Sequence, residues 1–99
     1  MKLYISGPMT GIVDFNFPAF FAAEELLSGL GYEVVNPARI GYVSGWKHRD
    51  YLKRDIPMLL ECDGVALLDG YEDSKGCRAE IVVAEVCDLE IRGIAEWCK

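Results

Sequence analysis

Residues 65–80, VALLDGYEDSKGCRAE, lead from a short apolar strand into the start of a helix. The apolar run at residues 65–68 is typical of a buried strand, and the pattern after it predicts a helix that begins at Asp73 or Ser74. Ser74 and Gly76 place a hydroxyl and bare backbone amides at the positive end of that helix, which favours an anion. Glu80 follows one to two turns along the same helix. The segment therefore predicts an anion site and a carboxylate within reach of one small ligand.

Strands and helices alternate along the whole chain. Strands are predicted at residues 3–6, 33–36, 64–68 and 90–94, with a helix between each consecutive pair. This alternation implies right-handed crossovers, so we predict an α/β fold: a small doubly wound, flavodoxin-like or Rossmann-like parallel sheet of four to five strands with helices on both faces. Residues 1–99 are expected to form a single domain, because the chain is too short for a second core.

The first helix carries clear boundary signals. Asn16 is expected to cap it, Phe15 and Phe20 to form a hydrophobic staple around its first turn, and Gly31 to follow its end. The residues expected to face the sheet are Phe20, Ala23, Leu27 and Leu30. The loop at residues 38–45, which contains two glycines, is expected to cover a ligand.

The second and third helices are less regular. Pro57 is expected to break the second helical region, which runs from about residue 46 to 62, so that Asp55 lies near the start of a new segment. The expected buried face of the third helix consists of Ala79, Val82, Val83, Val86 and Cys87.

Composition excludes several functional classes. The formal net charge is −6 and no basic face is visible, which argues against binding a nucleic-acid backbone but not a free nucleotide. No segment approaches the ~18 apolar residues of a membrane span, and the chain enters a strand pattern without an apolar signal region, so a cytoplasmic protein with no membrane partner is expected. The four cysteines form no C-x-x-C pair and are expected to be free thiols, with no metal site and no cofactor.

Polar residues collect at the edge where parallel sheets bind ligands, outside the carboxyl ends of the strands. They are Tyr4, the loop Gly7-Pro8-Met9-Thr10-Gly11, Asp55, and the segment from Ser74 to Glu80. In order and approximate spacing, Tyr4-Ile5-Ser6-Gly7, Asp55 and Ser74-x-Gly76-x-x-x-Glu80 resemble the motifs of nucleoside 2-deoxyribosyltransferases and 2′-deoxynucleoside 5′-monophosphate N-glycosidases. With Asn16-Phe17-Pro18 and Cys62-Asp63, the chain looks most similar to a compact phage and bacterial branch of that superfamily, and the resemblance covers nearly all of it.

The resemblance implies a role for each matching residue. The glutamate that matches Glu80 attacks the anomeric carbon of the sugar. The aspartate that matches Asp55 orients the sugar or helps protonate the departing base, and the tyrosine that matches Tyr4 steadies the glutamate. This chemistry is sound on its own terms, because a carboxylate below the anomeric carbon stabilises an oxocarbenium-like transition state and then traps it covalently.

The residue six before the glutamate distinguishes substrates in the superfamily, where an acidic residue suits a free 5′-hydroxyl and a serine suits a 5′-phosphate. Because this residue is Ser74, the resemblance implies a nucleoside 5′-monophosphate as the substrate. Lys75, Gly76 and Arg78 are expected to add contacts to the phosphate, and residues 7–11 to close around the sugar. Arg78 stands where the characterised enzymes usually have a small residue.

Assembly is the last expectation. The superfamily commonly completes its site across subunits, and the transferases borrow an asparagine that has no obvious equivalent in this chain. The chain is also rich in aromatic residues for a domain of this size: Phe15, Phe17, Phe20, Phe21, Tyr42, Trp46 and Tyr51. We therefore expect a homodimer or larger assembly with aromatic interfaces.

Each proposed site residue also has a structural alternative. Glu80 complements a helix dipole, Asp55 and Ser74 are suitable helix caps, and Tyr4 fits a buried strand. Two functions from different classes consequently stay open: an enzyme that cleaves or exchanges the N-glycosidic bond of a (deoxy)nucleoside 5′-monophosphate, and a nucleotide-binding or sensor module without turnover.

Overall fold

The computed structural model describes residues 1–99 and contains a four-stranded parallel sheet. The strands are β1 (Lys2–Ser6), β2 (Glu33–Val35), β3 (Gly64–Leu67) and β4 (Glu90–Gly93). Their order across the sheet is β2-β1-β3-β4, and every neighbouring pair is parallel. The predicted doubly wound α/β fold is confirmed, with four strands.

Helices cover both faces of the sheet. They are α1 (Phe17–Gly29), α2 (His48–Leu60), α3 (Lys75–Val86) and the short α4 (Ile94–Trp97). Side chains alternate along a strand, so β1 and β3 supply a different set to each face. The set that packs with α2 and α3 includes Tyr4, Val65 and Leu67. The set that packs with α1 and α4 includes Leu3, Ile5 and Ala66, and Leu68, directly after β3, joins it.

The start of α1 differs from the prediction. Asn16 precedes the helix in a left-handed conformation, with φ of 62°, and makes no side-chain cap. Its Nδ2 instead donates to the carbonyl oxygen of Pro8 at 2.9 Å, which ties the helix to the loop after β1. Phe15 is not a staple, because its ring stacks on Tyr42 with the ring centroids 4.8 Å apart. Phe20 is buried as expected.

The end of α1 follows the prediction only in part. Ala23 and Leu27 are buried on the sheet, but Leu30 is 51% exposed because the helix ends at Gly29. Gly31 adopts φ of +96°, the left-handed conformation that terminates many helices.

Pro57 does not break the second helix. It lies within a single helix, α2, that runs from His48 to Leu60. Asp55 is therefore in the body of a helix and not at the start of one, so its alternative role as a helix cap is wrong. The residues that precede α2 include a short 3-10 helix, Pro37–Arg39, which Asn36 caps by accepting from the Ala38 amide at 2.9 Å.

The buried face of α3 is only in part the one that the apolar residues predicted, because Val83 packs against the core but the fully buried residues are others. Cys77, Glu80 and Ala84 are buried, whereas Val82 and Val86 are 57% and 76% exposed and Cys87 is exposed. The spacing of 77, 80 and 84 is a proper helical stripe, but a carboxylate at its centre hides it from a search for apolar residues. Glu80 thus lies within the buried face of α3.

Two further features concern the whole chain. All four cysteines are free thiols, as expected. None of the helices has the length and apolar character that crossing a membrane requires.

Candidate functional site

A cavity of about 530 Å³ opens at the carboxyl ends of β1 and β3. The chain leaves β1 towards β2 on one side of the sheet and leaves β3 towards β4 on the other, so these two strands flank the point where the strand order reverses. The loops after them separate there and leave a crevice, which is the usual ligand site of such sheets. Tyr4, Gly7, Met9 and Thr10 line it from the β1 side, and Ser74, Gly76, Cys77 and Glu80 from α3.

Glu80 is the central ionisable group of the cavity. Its side chain reaches from the buried face of α3 to β1, where Oε2 accepts from the Tyr4 hydroxyl at 2.5 Å and Oε1 accepts from Ser6 Oγ at 2.7 Å. Burial raises the pKa of Glu80 to about 7, although both hydrogen bonds favour the carboxylate and oppose the rise. At neutral pH the residue is therefore poised between a neutral acid and a carboxylate.

Tyr4 and Ser6 reach Glu80 because they are two residues apart on one strand and so point to the same face. Both are buried, and burial together with the neighbouring Glu80 carboxylate raises the pKa of Tyr4 well above its ordinary value. Tyr4 thus remains a hydrogen-bond donor. Ser6 Oγ also lies 2.9 Å from the Sγ of Cys77, a thiol whose pKa burial raises to about 11.

Asp55 lines the cavity from α2 and is 8% exposed. The neighbouring Arg54 donates from Nε to Asp55 Oδ1 at 2.7 Å. Burial raises the pKa of Asp55, while the hydrogen bond and charge of Arg54 act in the opposite direction. The site therefore holds two buried carboxyl groups, and only Asp55 has a direct cationic partner.

Ser74 caps α3, since its Oγ accepts from the Cys77 amide at 3.2 Å. Gly76 leaves open space in the first turn, where an added Cβ would lie 3.9 Å from Nδ1 of His48, the first residue of α2. Two helices of 12 and 13 residues therefore begin close to each other at the cavity. Positive helix ends and the adjacent Lys47 and His48 make this corner suitable for an anion.

The predicted binding residues do not all reach the main cavity. Pro8 and Lys75 line a neighbouring cleft that shares Met9, Thr10, His48 and Ser74 with it. Gly11 and Arg78 are exposed and line neither. Arg78 projects from the outer side of α3, one residue past the buried Cys77, so it does not narrow the cavity.

Aromatic side chains form most of the remaining wall: Phe15, Phe17, Phe20, Tyr42, Trp46 and Tyr51. The segment at residues 41–47, which we call the cavity loop, contributes Tyr42 and Trp46 and overlaps residues 38–45, the loop expected to cover a ligand. Six of the seven aromatic residues that suggested an interface thus have a place in this wall, and only Phe21 lies outside it. The expected homodimer stays a prediction, but the number of aromatic residues no longer supports it.

Sequence reasoning missed Ser6 and Arg54 as site residues. Ser6 had a usable signal, because strand alternation places it on the same face as Tyr4. Arg54 had none, because the path of the loop before α2 decides which residues its side chain meets. No group of three or more His, Cys, Asp or Glu side chains is arranged to hold a metal ion.

Comparison with known proteins identifies a family and a fold. A family model described as "Domain of unknown function (DUF4406)" matches residues 1–92. Among solved structures, a 2-deoxyribosyltransferase of Bacillus psychrosaccharolyticus superposes with a TM-score of 0.72 and 19% sequence identity, covering 94% of this chain and 71% of that one. A search of curated proteins finds no match. At this identity the structural likeness shows a shared fold.

Proposed function

The chain belongs to the DUF4406 family, has the fold of a 2-deoxyribosyltransferase, and, we propose, cleaves or exchanges the N-glycosidic bond of a (deoxy)nucleoside 5′-monophosphate. The observation that carries this proposal is the buried Glu80 carboxyl group, which lines the cavity and accepts hydrogen bonds from Tyr4 and Ser6. Burying a carboxyl group costs free energy, and a residue that only complements the helix dipole does not need to be buried. The burial of Glu80 therefore argues against that simpler role.

In the proposed first step, a Glu80 oxygen attacks the anomeric carbon of the sugar while the bond from that carbon to the base nitrogen breaks. The electron pair of the broken bond leaves with the base, which gains a proton from a nearby group or from water. Tyr4 and Ser6 hold the carboxylate in the attacking orientation. In the second step, water or a second base attacks the same carbon and releases Glu80 as a carboxylate.

The pKa of Glu80 suits this role. A carboxylate that is desolvated is a better nucleophile than one in water, and a pKa of about 7 leaves roughly half of the enzyme in the ionised form at neutral pH. Asp55, across the same cavity, either orients the sugar or assists the departing base. The aromatic wall offers flat surfaces on which a base stacks.

The proposed phosphate site is the corner where α2 and α3 begin. The Ser74 hydroxyl and the Gly76 amide are the donors, Lys47 supplies a nearby cation, and the His48 ring adds a further polar group. The first turn of α3 contains no carboxylate that would repel a 5′-phosphate bound at its amides.

Release of free base tests the proposal. The wild type is incubated with a panel of deoxynucleoside and ribonucleoside monophosphates and the matching nucleosides, and free base is measured by chromatography. Addition of a second base separates transfer, which yields a new nucleotide, from hydrolysis. Glu80→Gln is expected to abolish base release, whereas the control Glu85→Gln, an exposed glutamate on the same helix, is expected to retain it.

Two results would contradict the proposal. Base release by Glu80→Gln close to that of the wild type would remove Glu80 from the mechanism. Tight binding of a monophosphate by the wild type without any release would instead favour a nucleotide-binding module.

A further inference from the structure

Arg54 lies between Asp55 and the cavity loop. Its Nε donates to Asp55 Oδ1 at 2.7 Å, its Nη2 donates to Asp55 Oδ2 at 3.5 Å, and its Nη1 donates to the carbonyl oxygen of Gly41 at 2.9 Å. The side chain is only 14% exposed. A cation that has left water is costly unless it is paired, so these contacts define where the guanidinium can lie.

Arg54 and Tyr51 together attach the cavity loop to α2. The Tyr51 hydroxyl accepts from the Val43 amide at 3.0 Å and donates to the Val43 carbonyl oxygen at 3.1 Å. The guanidinium of Arg54 lies over the rings of Trp46 and Tyr51, at 5.5 and 5.3 Å from their centroids. Because Gly41, Trp46 and Tyr51 line the cavity, the same contacts fix part of its wall.

We propose that Arg54 is a positioning residue for the reaction: it holds Asp55 as a carboxylate at the cavity and joins that carboxylate to the cavity loop. In this state Asp55 accepts a hydrogen bond from a sugar hydroxyl or a base N–H and does not supply the proton to the departing base. The effect of Arg54 on catalysis rests on the proposed function. Its effects on the Asp55 carboxyl group and on the cavity loop are measured without any enzymatic activity.

The charges around Asp55 agree with this role. Glu80 faces it from α3 and Tyr4 from β1, and Arg54 is the cation that acts on all of these groups. Burial raises the pKa of Asp55, and Arg54 opposes that rise. Arg54 also lowers the pKa of Glu80, so its removal is expected to raise the pKa of both carboxyl groups.

The first test is a carboxyl NMR titration of Asp55 in the Glu80→Gln background, which removes the coupling to Glu80. Arg54→Gln is expected to raise the pKa of Asp55 measurably. Arg54→Lys, which keeps the charge but not the paired guanidinium hydrogen bonds, is expected to raise it less than Arg54→Gln does. The control Lys53→Gln removes an exposed cation from the same helix and is expected to change nothing. Equal titration of Asp55 with and without Arg54 would overturn the proposal.

The second test is amide hydrogen exchange in the cavity loop. Arg54→Gln and Arg54→Lys are both expected to speed exchange in the loop by about tenfold, because neither side chain can bond Asp55 and Gly41 together. Tyr51→Phe is expected to speed exchange of the Val43 amide while leaving the titration of Asp55 unchanged. A loop that exchanges at the parent rate in Arg54→Gln would overturn the joining role.

The third test uses turnover. Arg54→Gln is expected to lower kcat/KM about 10- to 100-fold at neutral pH, with part of the loss recovered at higher pH as the carboxylates reform. Activity undiminished at neutral pH and extended to higher pH would show Asp55 to be the proton donor and overturn the proposal. A wild type that releases no base would refute the proposed function alone, since the titration and the exchange still decide the role of Arg54.

Discussion

Glu80→Gln is expected to make the protein more stable at alkaline pH while abolishing its activity. The folded protein holds the pKa of Glu80 at about 7, against an ordinary value of 4.5 that applies to the unfolded chain. Below pH 4.5 both states are protonated and the stability associated with this group is fully present. As the pH rises to about 7 the unfolded chain ionises first, so this stability is progressively lost.

The size of the effect follows from the difference between the two pKa values. One pH unit corresponds to about 1.4 kcal/mol. Ionisation of Glu80 in the unfolded chain is therefore expected to lower the free energy of unfolding by about 3 kcal/mol between pH 4.5 and 7. Glutamine is close to the same shape and does not titrate. The variant is therefore expected to lack this part of the pH dependence.

The assay is urea denaturation of the wild type, Glu80→Gln and Glu85→Gln from pH 5 to pH 8.5. The informative quantity is the free energy of unfolding of each variant minus that of the wild type, because other titrating groups cancel in the difference. For Glu80→Gln this difference is expected to become more positive as the pH rises, because the wild type loses stability and the variant does not. For Glu85→Gln it is expected to stay constant. A flat difference for Glu80→Gln would refute the argument that Glu80 is a buried acid with a raised pKa.

Three other substitutions test separate parts of the site. Tyr4→Phe removes a hydrogen bond to the Glu80 carboxylate worth about 1.5 to 3 kcal/mol, which raises the pKa of Glu80. The midpoint of the acid limb of the kcat/KM profile is therefore expected to move to higher pH by about one to two units. Ser74→Asp is expected to weaken monophosphate binding at least about tenfold in calorimetry while sparing the nucleoside, by repulsion of the phosphate. Gly7→Ala places a Cβ 2.7 Å from Leu68 Cβ, and thermal denaturation is expected to show a loss of about 1 to 3 kcal/mol.

The sheet was predictable from the sequence because its strands carry a simple signal. Short apolar runs, each separated by a helical segment, leave few alternatives to a parallel sheet with right-handed crossovers. The ligand-binding edge follows from that arrangement. The order β2-β1-β3-β4 does not, because the same alternation is compatible with other strand orders. The predicted helix ends were less accurate. Asn16 donates a hydrogen bond to Pro8 instead of capping α1, and Pro57 lies inside α2 instead of ending it. Capping and helix propensities contribute only about 1 to 3 kcal/mol, and tertiary contacts outweigh them here.

The site itself was predictable only where its residues lie on regular elements. Tyr4 and Glu80 follow from a strand and a helix that meet at the sheet edge, whereas Arg54 acquires its role from Gly41 and Trp46 on an irregular loop. Loop conformation depends on many weak contacts that have no periodic pattern in sequence. The error in the buried face of α3 has one identifiable origin: Glu80, a carboxylate, interrupts the stripe of apolar residues that would have located that face.

The pattern of burial separates structural polar residues from those of the site. The polar or charged residues buried in the protein are Ser6, Asn36, Asp55 and Glu80, and no buried polar side-chain atom lacks a partner. Asn36 is accounted for by the fold, because it caps the turn at Ala38 and donates to Glu24. Ser6, Asp55 and Glu80 do nothing comparable for any helix or turn. A core of apolar residues would hold the same sheet together without the cost of burying two carboxyl groups, so their convergence beside one cavity is best explained by chemistry on a ligand.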